Sequence, residues 1–354
     1  MTTLYVTEPR SLVKKDDQTL LIEIPEDKDK GTPKRSVRVP LIKVDQVVIC
    51  GDSTVTSPAL AALLEQRVEV CFLSQWGQFR GRLAPAFSKN SLVRLAQHRA
   101  HEDARRSLQL ARQFVAGKLH NCRTLLLRSN RKLEDPALAE AAASLKGVTA
   151  QAEVLESDGA PPSDPGKPQA GTAWGTLHGL EGAGSARYFG VFDRLLREPM
   201  GFDGRNRRPP RDPVNAILSY GYVLLMHQCS AAAQLVGLDP YVGFLHSSQY
   251  GKPALALDLM EEFRPLVVDS VVLTLVNNRI VQIDDFVEEM GAWRLKDAAR
   301  RTFLVKFEER LNTEITHPVM GYKATYRRCL ELQARLLGKV LMGEVAEYKP
   351  LVVR

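Results

Sequence analysis

Residues 242–268 (VGFLHSSQYGKPALALDLMEEFRPLVV) hold the densest set of groups able to do chemistry. His246 ends a short apolar run and precedes a turn-forming Ser-Ser-Gln-Tyr-Gly-Lys stretch. Pro253 then opens a helix at a position where its missing N–H costs nothing. On that helix Asp258, Glu261 and Glu262 stand at i, i+3 and i+4, so their carboxylates share one face. Leu255, Leu257, Leu259, Met260 and Phe263 around them are apolar. Acids on an otherwise apolar helix repel each other and lose hydration unless a cation or an arginine neutralises them. Oxygen ligands grouped this way, with an imidazole nearby, suit Mg²⁺ or Mn²⁺. A solvated face meets the same pattern, with Arg264 and Lys252 as surface partners and His246 as a hydrogen-bonded core histidine.

Two upstream stretches add to the inventory. Residues 179–189 (GLEGAGSARYF) place Glu181 at the expected start of a helix, where the helix dipole favours an acid. The small residues at 182–186 would let another helix or a ligand approach closely. Residues 204–213 (GRNRRPPRDP) carry four arginines in seven positions, Arg205, Arg207, Arg208 and Arg211. Held extended by prolines, they suit phosphate contact, and equally a solvated, mobile loop.

Positioning these groups is the task of the secondary structure. Short Val-, Ile- and Thr-rich runs predict strands at Thr3–Val6, Thr19–Ile24, Ser36–Val39, Gln46–Cys50 and Val68–Phe72. Gln75–Gln78 predicts a hairpin turn before Phe79–Leu83, and Ser57-Pro58 opens a helix over Ala59–Gln66. After Pro85 the periodicity becomes helical, with Leu92, Leu95, Leu108, Phe114, Leu119 and Leu125 on one face. Helices are expected at roughly 90–130, 136–156, 181–198, 212–237, 254–276, 282–290, 296–312 and 320–343. Residues 157–175 are rich in Pro, Gly, Ser and Asp with little to bury, and read as a flexible insertion. The fold class is therefore α+β: a small β-rich domain over 1–86, then a larger all-helical domain over 87–354.

Composition narrows the partners. In 354 residues, 48 Lys plus Arg against 41 Asp plus Glu give a net charge of +7, which favours an anionic partner, nucleic acid foremost. Residues 90–132 alone hold ten Lys or Arg (among them Lys118) against two acids, Glu102 and Asp103. With 44% hydrophobic and 25% charged residues, disorder, collagen and coiled coil are excluded as global descriptions. No apolar run reaches the ~18 residues a membrane span needs, and no signal-peptide core opens the chain, so the expected address is the cytoplasm without membrane association. The five scattered cysteines lack a C-x-x-C pair and read as reduced, buried thiols.

Taken together, E-G-x-x-S-A-R-Y-F, G-R-N-R-R-P-P-R-D-P-V-N-A-x-L-S-Y-G-Y, G-F-L-H and A-L-D-L-M-E-E-F-R-P-L-V-V-D closely resemble the CRISPR-associated spacer integrases, the Cas-one family. The resemblance runs from Glu181 to Asp269 and is compatible with the whole chain in order and length. It implies a β-rich N-terminal domain ahead of a helical catalytic domain. It also implies a metal site of Glu181, His246 and Asp258, with Glu261 as a further acid one helical turn on. The implied chemistry is transesterification dependent on Mg²⁺ or Mn²⁺: a 3′-hydroxyl of a short foreign DNA attacks a phosphodiester at the edge of a CRISPR repeat. Members also act on branched DNA and work as homodimers bridged by a Cas-two dimer. Arg187, Arg205, Arg207, Arg208, Arg211 and Lys252 are the residues expected to meet double-stranded or branched DNA. The rival readings are a metal-dependent DNA repair nuclease and a non-catalytic basic DNA-binding scaffold.

Overall fold

The computed structural model describes residues 3–27, 31–75, 79–86, 88–160, 171–198, 200–206, 209–246 and 249–353. The chain forms two compact units, Met1–Phe87 and Ser88–Arg354.

In the first unit the alternating runs become strands β1 (Thr3–Val6), β2 (Leu12–Asp16), β3 (Thr19–Ile24), β4 (Arg35–Pro40), β5 (Gln46–Cys50) and β6 (Thr54–Val55). Helix α1 (Ser57–Glu65), with Pro58 in its first turn, precedes β7 (Glu69–Leu73) and β8 (Phe79–Leu83). One sheet runs β1–β5–β7–β8, with β8 alone antiparallel to its neighbour. The other runs β4–β3–β2–β6. Val13, Leu20, Val47, Ile49, Leu63 and Val70 are buried together in the core of this unit. Strand β5 is buried along its whole length, whereas the edge strand β4 is exposed at five of its six residues. Strand β2 has no forerunner among the expected strands. Its sequence, LVKKD, shows no clear alternation, and only Val13 in it is buried.

The second unit is built on helices α2 (Ser91–Glu102), α3 (Ala104–Leu133), α4 (Pro136–Glu153), α5 (Ala173–Phe189), α6 (Pro213–Val236), α7 (Ala254–Arg264) and α8 (Ser270–Asn277). They are followed by the hairpin β9 (Phe286–Glu289) and β10 (Ala292–Leu295), then α9 (Asp297–Leu311), the pair β11 (Glu314–Thr316) and β12 (Lys323–Thr325), and α10 (Tyr326–Leu341).

Several sequence expectations are corrected here. The single helix expected over 90–130 is two, because the Asp103 carboxylate accepts the N–H groups of Arg105 and Arg106 and starts α3 afresh. Leu92 and Leu95 are exposed, and α2 buries Val93, Gln97 and Ala100 instead. The helix expected over 282–290 is a hairpin turning at Met290 and Gly291, both at positive φ, a geometry that matches strand twist. Helix α5 starts eight residues before Glu181, capped by Thr172, inside the stretch read as an insertion; residues 161–170 of that stretch lie outside the described residues. The helix expected over 254–276 is interrupted by a π-helical turn at Pro265–Asp269. Pro265 has no N–H for the regular ladder, and the turn widens there.

The π turn packs against α6 at Gly221. A Cβ there would lie 2.6 Å from Val268 Cγ1 and 2.9 Å from Phe303 Cζ. Gly221→Ala is therefore expected to lower stability by about 1–3 kcal/mol from overpacking, despite a helix-propensity gain of about 1 kcal/mol. Urea unfolding checks it, and a midpoint at or above wild type would refute the close packing.

Candidate metal centre

Asp258 is fully buried on α7, and its surroundings define its role. Its Oδ2 accepts the N–H groups of Phe244 at 2.5 Å and Leu245 at 3.1 Å. Its Oδ1 accepts the N–H of His246 at 2.9 Å and lies 2.8 Å from His246 Nδ1. An ionised carboxylate offers about four lone-pair positions, and these four partners fill them. Such convergence of backbone on one carboxylate requires Gly243. A Cβ there would stand 2.8 Å from Asp258 Oδ2 and 2.7 Å from the Ala254 carbonyl carbon. With Nδ1–H donated to Asp258, the Nε2 lone pair of His246 is left to face a ligand. The His246 side chain is 23% exposed.

Glu181 and Glu261 reach a common point from separate helices. Glu181 Oε1, in the middle of α5, accepts from Ser185 Oγ at 3.0 Å and from Lys118 Nζ of α3. The same Nζ lies 2.8 Å from Glu261 Oε2. That contact is an ion pair without the alignment of a hydrogen bond, so the oxygen keeps a lone pair unspent. Glu261 Oε1 accepts from Arg264 Nη1 at 2.8 Å. Burial works against all these charges. Arg264 and Lys118 nevertheless hold the Glu261 carboxyl well below its usual value, with a contribution from nearby His246. Lys118 likewise lowers Glu181 against its burial, and the two glutamates raise Lys118 against its own.

A second layer fixes Arg264. Its guanidinium lies 4.2 Å over the Tyr222 ring. The Tyr222 and Tyr188 hydroxyls donate to Asp269 at 2.5 and 2.8 Å. Glu262 belongs elsewhere: it accepts from Gln333 Nε2 at 3.0 Å, from the Tyr348 hydroxyl and from the Leu351 N–H. Burial pushes its carboxyl up to about 7.

The acids of α7 are thus buried rather than solvated, and so is Arg264. Among the described residues, no three His, Cys, Asp or Glu side chains stand close enough together to hold a metal ion as arranged. The donor set still fits one. A cationic ammonium already bridges Glu181 and Glu261, Glu261 Oε2 has no hydrogen-bond partner, and His246 is oriented by a carboxylate. The site residues read from sequence separate accordingly. Glu181 and Glu261 meet around Lys118, while the lone pairs of Asp258 are spent on the loop and on His246.

The basic residues separate as well. Arg187 and Arg211 are exposed and Lys252 is half-buried. Arg205 is half-buried, with Nη1 2.7 Å from Asn215 Oδ1 and Nη2 3.1 Å from Ser219 Oγ, which pins it on α6. Arg207 and Arg208 lie outside the described residues. Lys118, counted among the basic face of 90–132, is instead buried in the centre.

A family profile described as "CRISPR associated protein Cas1" matches residues 4–309. The CRISPR-associated endonuclease Cas1 1 of Moorella thermoacetica is 38% identical over 100% of this chain and 99% of its own length. The chain belongs to the Cas1 family. Another Cas1 relative, the CRISPR-associated exonuclease Cas4/endonuclease Cas1 fusion of Geobacter sulfurreducens, is 40% identical over 99% of this chain, which spans 60% of that protein's length. Among solved structures, a casposase bound to integration product superposes with a TM-score of 0.82 at 23% identity, covering 99% of this chain and 93% of the other. A Cas6-RT-Cas1–Cas2 complex gives 0.76 at 26% identity, covering 99% of this chain and 36% of the other. The Cas1 fold, a β-rich unit followed by a mostly helical one, is therefore the fold of this chain.

Within this Cas1-family chain, sequence reasoning passed over Ser185 and the Tyr188–Asp269–Tyr222 group, and it read Lys118 and Arg264 as surface cations rather than as members of the centre. Lys118 gave one signal, its place in the run Phe114–Leu119 (FVAGKL), whose other members are apolar or small. Arg264 stands three residues after Glu261, the spacing of a helical ion pair.

Asp258→Ala is expected to cost about 3–5 kcal/mol, because two buried N–H groups and the half-buried N–H of His246 lose their acceptor. His246→Ala, at a partly exposed site, is expected to cost far less. Chemical denaturation of the two variants in chelator checks the order, and equal losses would refute the positioning role of Asp258.

Proposed function

We propose that this chain is a divalent-metal-dependent DNA integrase and endonuclease of CRISPR adaptation. One observation carries the reading: in a Cas1-family chain, Glu181 and Glu261 from two helices converge on one buried cation, Lys118, and Glu261 stands one helical turn from Asp258, which orients His246. Glu181, Glu261 and His246 are the residues that would hold Mg²⁺ or Mn²⁺, with Asp258 acting through His246. Bound there, such an ion supplies neutralisation of the scissile phosphate and of the attacking and leaving oxygens.

The chain's own side chains prepare that chemistry. Ser185 orients Glu181, Arg264 holds Glu261, and Asp258 fixes the tautomer and angle of His246. In the joining reaction a 3′-hydroxyl of a short DNA attacks a phosphodiester at a repeat boundary. One P–O bond forms, another breaks, and the displaced strand keeps a 3′-hydroxyl. The same site would act on branched DNA in the reverse sense. Arg187, Arg211 and Lys252 would meet phosphates, together with Arg207 and Arg208. The integration product and the Cas2 named for similar solved structures support DNA and Cas2 as partners. No described helix is long and apolar enough to cross a membrane.

Joining of labelled DNA to a repeat-containing plasmid tests the reading. Wild type is expected to give a joined product with Mg²⁺ or Mn²⁺ and none with EDTA, and Glu181→Ala, His246→Ala or Glu261→Ala to reduce joining at least about a hundredfold. Cleavage without a joined product would favour a repair nuclease. DNA binding with no reaction in any metal would favour a scaffold.

Assembly belongs to the same proposal. The first unit would form a homodimer through its sheet edges, such as the exposed β4, since unpaired strand edges invite a partner. Two copies bridged by a Cas2 dimer would then hold two separate centres, as joining both ends of a fragment requires. Light scattering on the full chain and on residues 90–354 is expected to show a dimer and a monomer, respectively. A full-length monomer at micromolar concentration, or an equally dimeric fragment, would refute it.

A further inference from the structure

The candidate centre contains a cation of its own. Lys118 projects from the middle of α3, its side chain only 5% exposed. Lysines are almost never buried without a partner, and this one has two, on two other helices. Its ammonium stands 2.8 Å from Glu261 Oε2 and hydrogen-bonds Glu181 Oε1, so it fills the point at which those carboxylates are nearest to a shared charge. The second cation of the cluster, Arg264, pairs with Glu261 and is held on Tyr222. A divalent ion taken by Glu181 and Glu261 would stand about 2.0–2.6 Å from their oxygens, inside the space the ammonium holds. A unit and a double positive charge repel strongly at that separation away from bulk water.

We propose that Lys118 is the resident counter-ion of the centre and is exchanged for the divalent ion when that ion binds. Without metal, its ammonium balances Glu181 and Glu261 and keeps two buried acids pointing at each other. As metal enters, the same two oxygens pass to it and the flexible lysine stem swings the ammonium out from between them. The exchange leaves the acids paired throughout, and it sets the metal affinity below what the bare carboxylates would give. This inference rests on the metal-centre reading under Proposed function. A lysine that merely braces the fold would have the opposite signature, because removing it would disorder the ligands and weaken metal binding.

Mn²⁺ titration followed by the electron paramagnetic resonance of free Mn²⁺, with thermal unfolding in EDTA and in Mn²⁺, separates these cases. Lys118→Met keeps the apolar stem and removes the charge. It is expected to melt lower than wild type in EDTA, to gain more from Mn²⁺, and to bind Mn²⁺ at least about tenfold more tightly. A folded Lys118→Met that binds Mn²⁺ no more tightly than wild type overturns the exchange while leaving the metal centre standing. Wild type that binds no Mn²⁺ overturns both. Should Lys118→Met fail to fold without metal, wild-type protein carries the test. The side-chain ammonium resonance of Lys118, identified by its loss in Lys118→Arg, is expected to shift and exchange faster with water as Mg²⁺ is added. A resonance unmoved at saturating Mg²⁺ overturns the proposal.

Discussion

Two glutamates from different helices point at one another inside the helical unit, and the neighbouring architecture is arranged around the cost of that encounter. Buried carboxylates without partners would neutralise themselves or unfold the region. Here Lys118 and Arg264 supply two positive charges against the two negative ones of Glu181 and Glu261. Arg264 in turn needs a fixed seat, which the Tyr222 face provides, and Tyr222 is tied through Asp269 to Tyr188. Helices α3, α5, α6 and α7 and the π turn each contribute one or more members to this set. Their relative placement is thereby specified by polar pairing as well as by apolar packing. A slip of one helix by a turn would leave a charge unanswered.

Much of the fold was legible because periodicity reports burial directly. Runs such as Gln46–Cys50 and Pro213–Val236 became the strand and the helix expected of them. The failures have local causes. In LVKKD a single buried valine gave no alternation to see, and the helix expected over 282–290 gives way to the hairpin that turns at Met290 and Gly291. At the site, spacing and family resemblance brought forward Glu181, His246, Asp258 and Glu261 without separating their tasks. What distinguishes Asp258 from Glu261 is three backbone N–H groups, contributed by residues 244–246, and no side-chain pattern encodes them. Lys118 escaped notice because a lysine among arginines reads as surface, and Glu181 lies 63 residues away.

Net charge proved a poor guide to which cations face outward. Within the basic window, Arg112 donates to the Leu155 carbonyl at 2.8 Å and Arg94 to the Ser88 carbonyl at 2.9 Å, and Arg205 further on is pinned to α6. Arg99, Arg105 and Arg106 do remain exposed. Guanidinium groups cap carbonyls and stack on rings as readily as they meet phosphates. Under the proposed function, the salt dependence of DNA binding would follow the exposed subset rather than the count of basic residues.

The segment following α10 has a bearing on when the centre can form. Its Tyr348 hydroxyl and Leu351 N–H satisfy Glu262, immediately beside Glu261, and Asn121 of α3 donates to the carbonyls of Glu262 and Leu351 at 2.8 and 2.7 Å. Asn121 Oδ1 also accepts the Val353 N–H at 3.1 Å. The bonds from Asn121 to Leu351 and Val353 join positions 230 and 232 residues apart. Contacts of that separation form late, after the loop entropy between them has been overcome. Without residues 348–353 in place, Glu262 lacks the O–H donor of Tyr348 and the N–H donor of Leu351. Residues 348–353 complete the donor set of Glu262, one position from Glu261. A chain lacking residues 348–353 would keep Glu262 buried with Gln333 as its donor but without Tyr348 and Leu351.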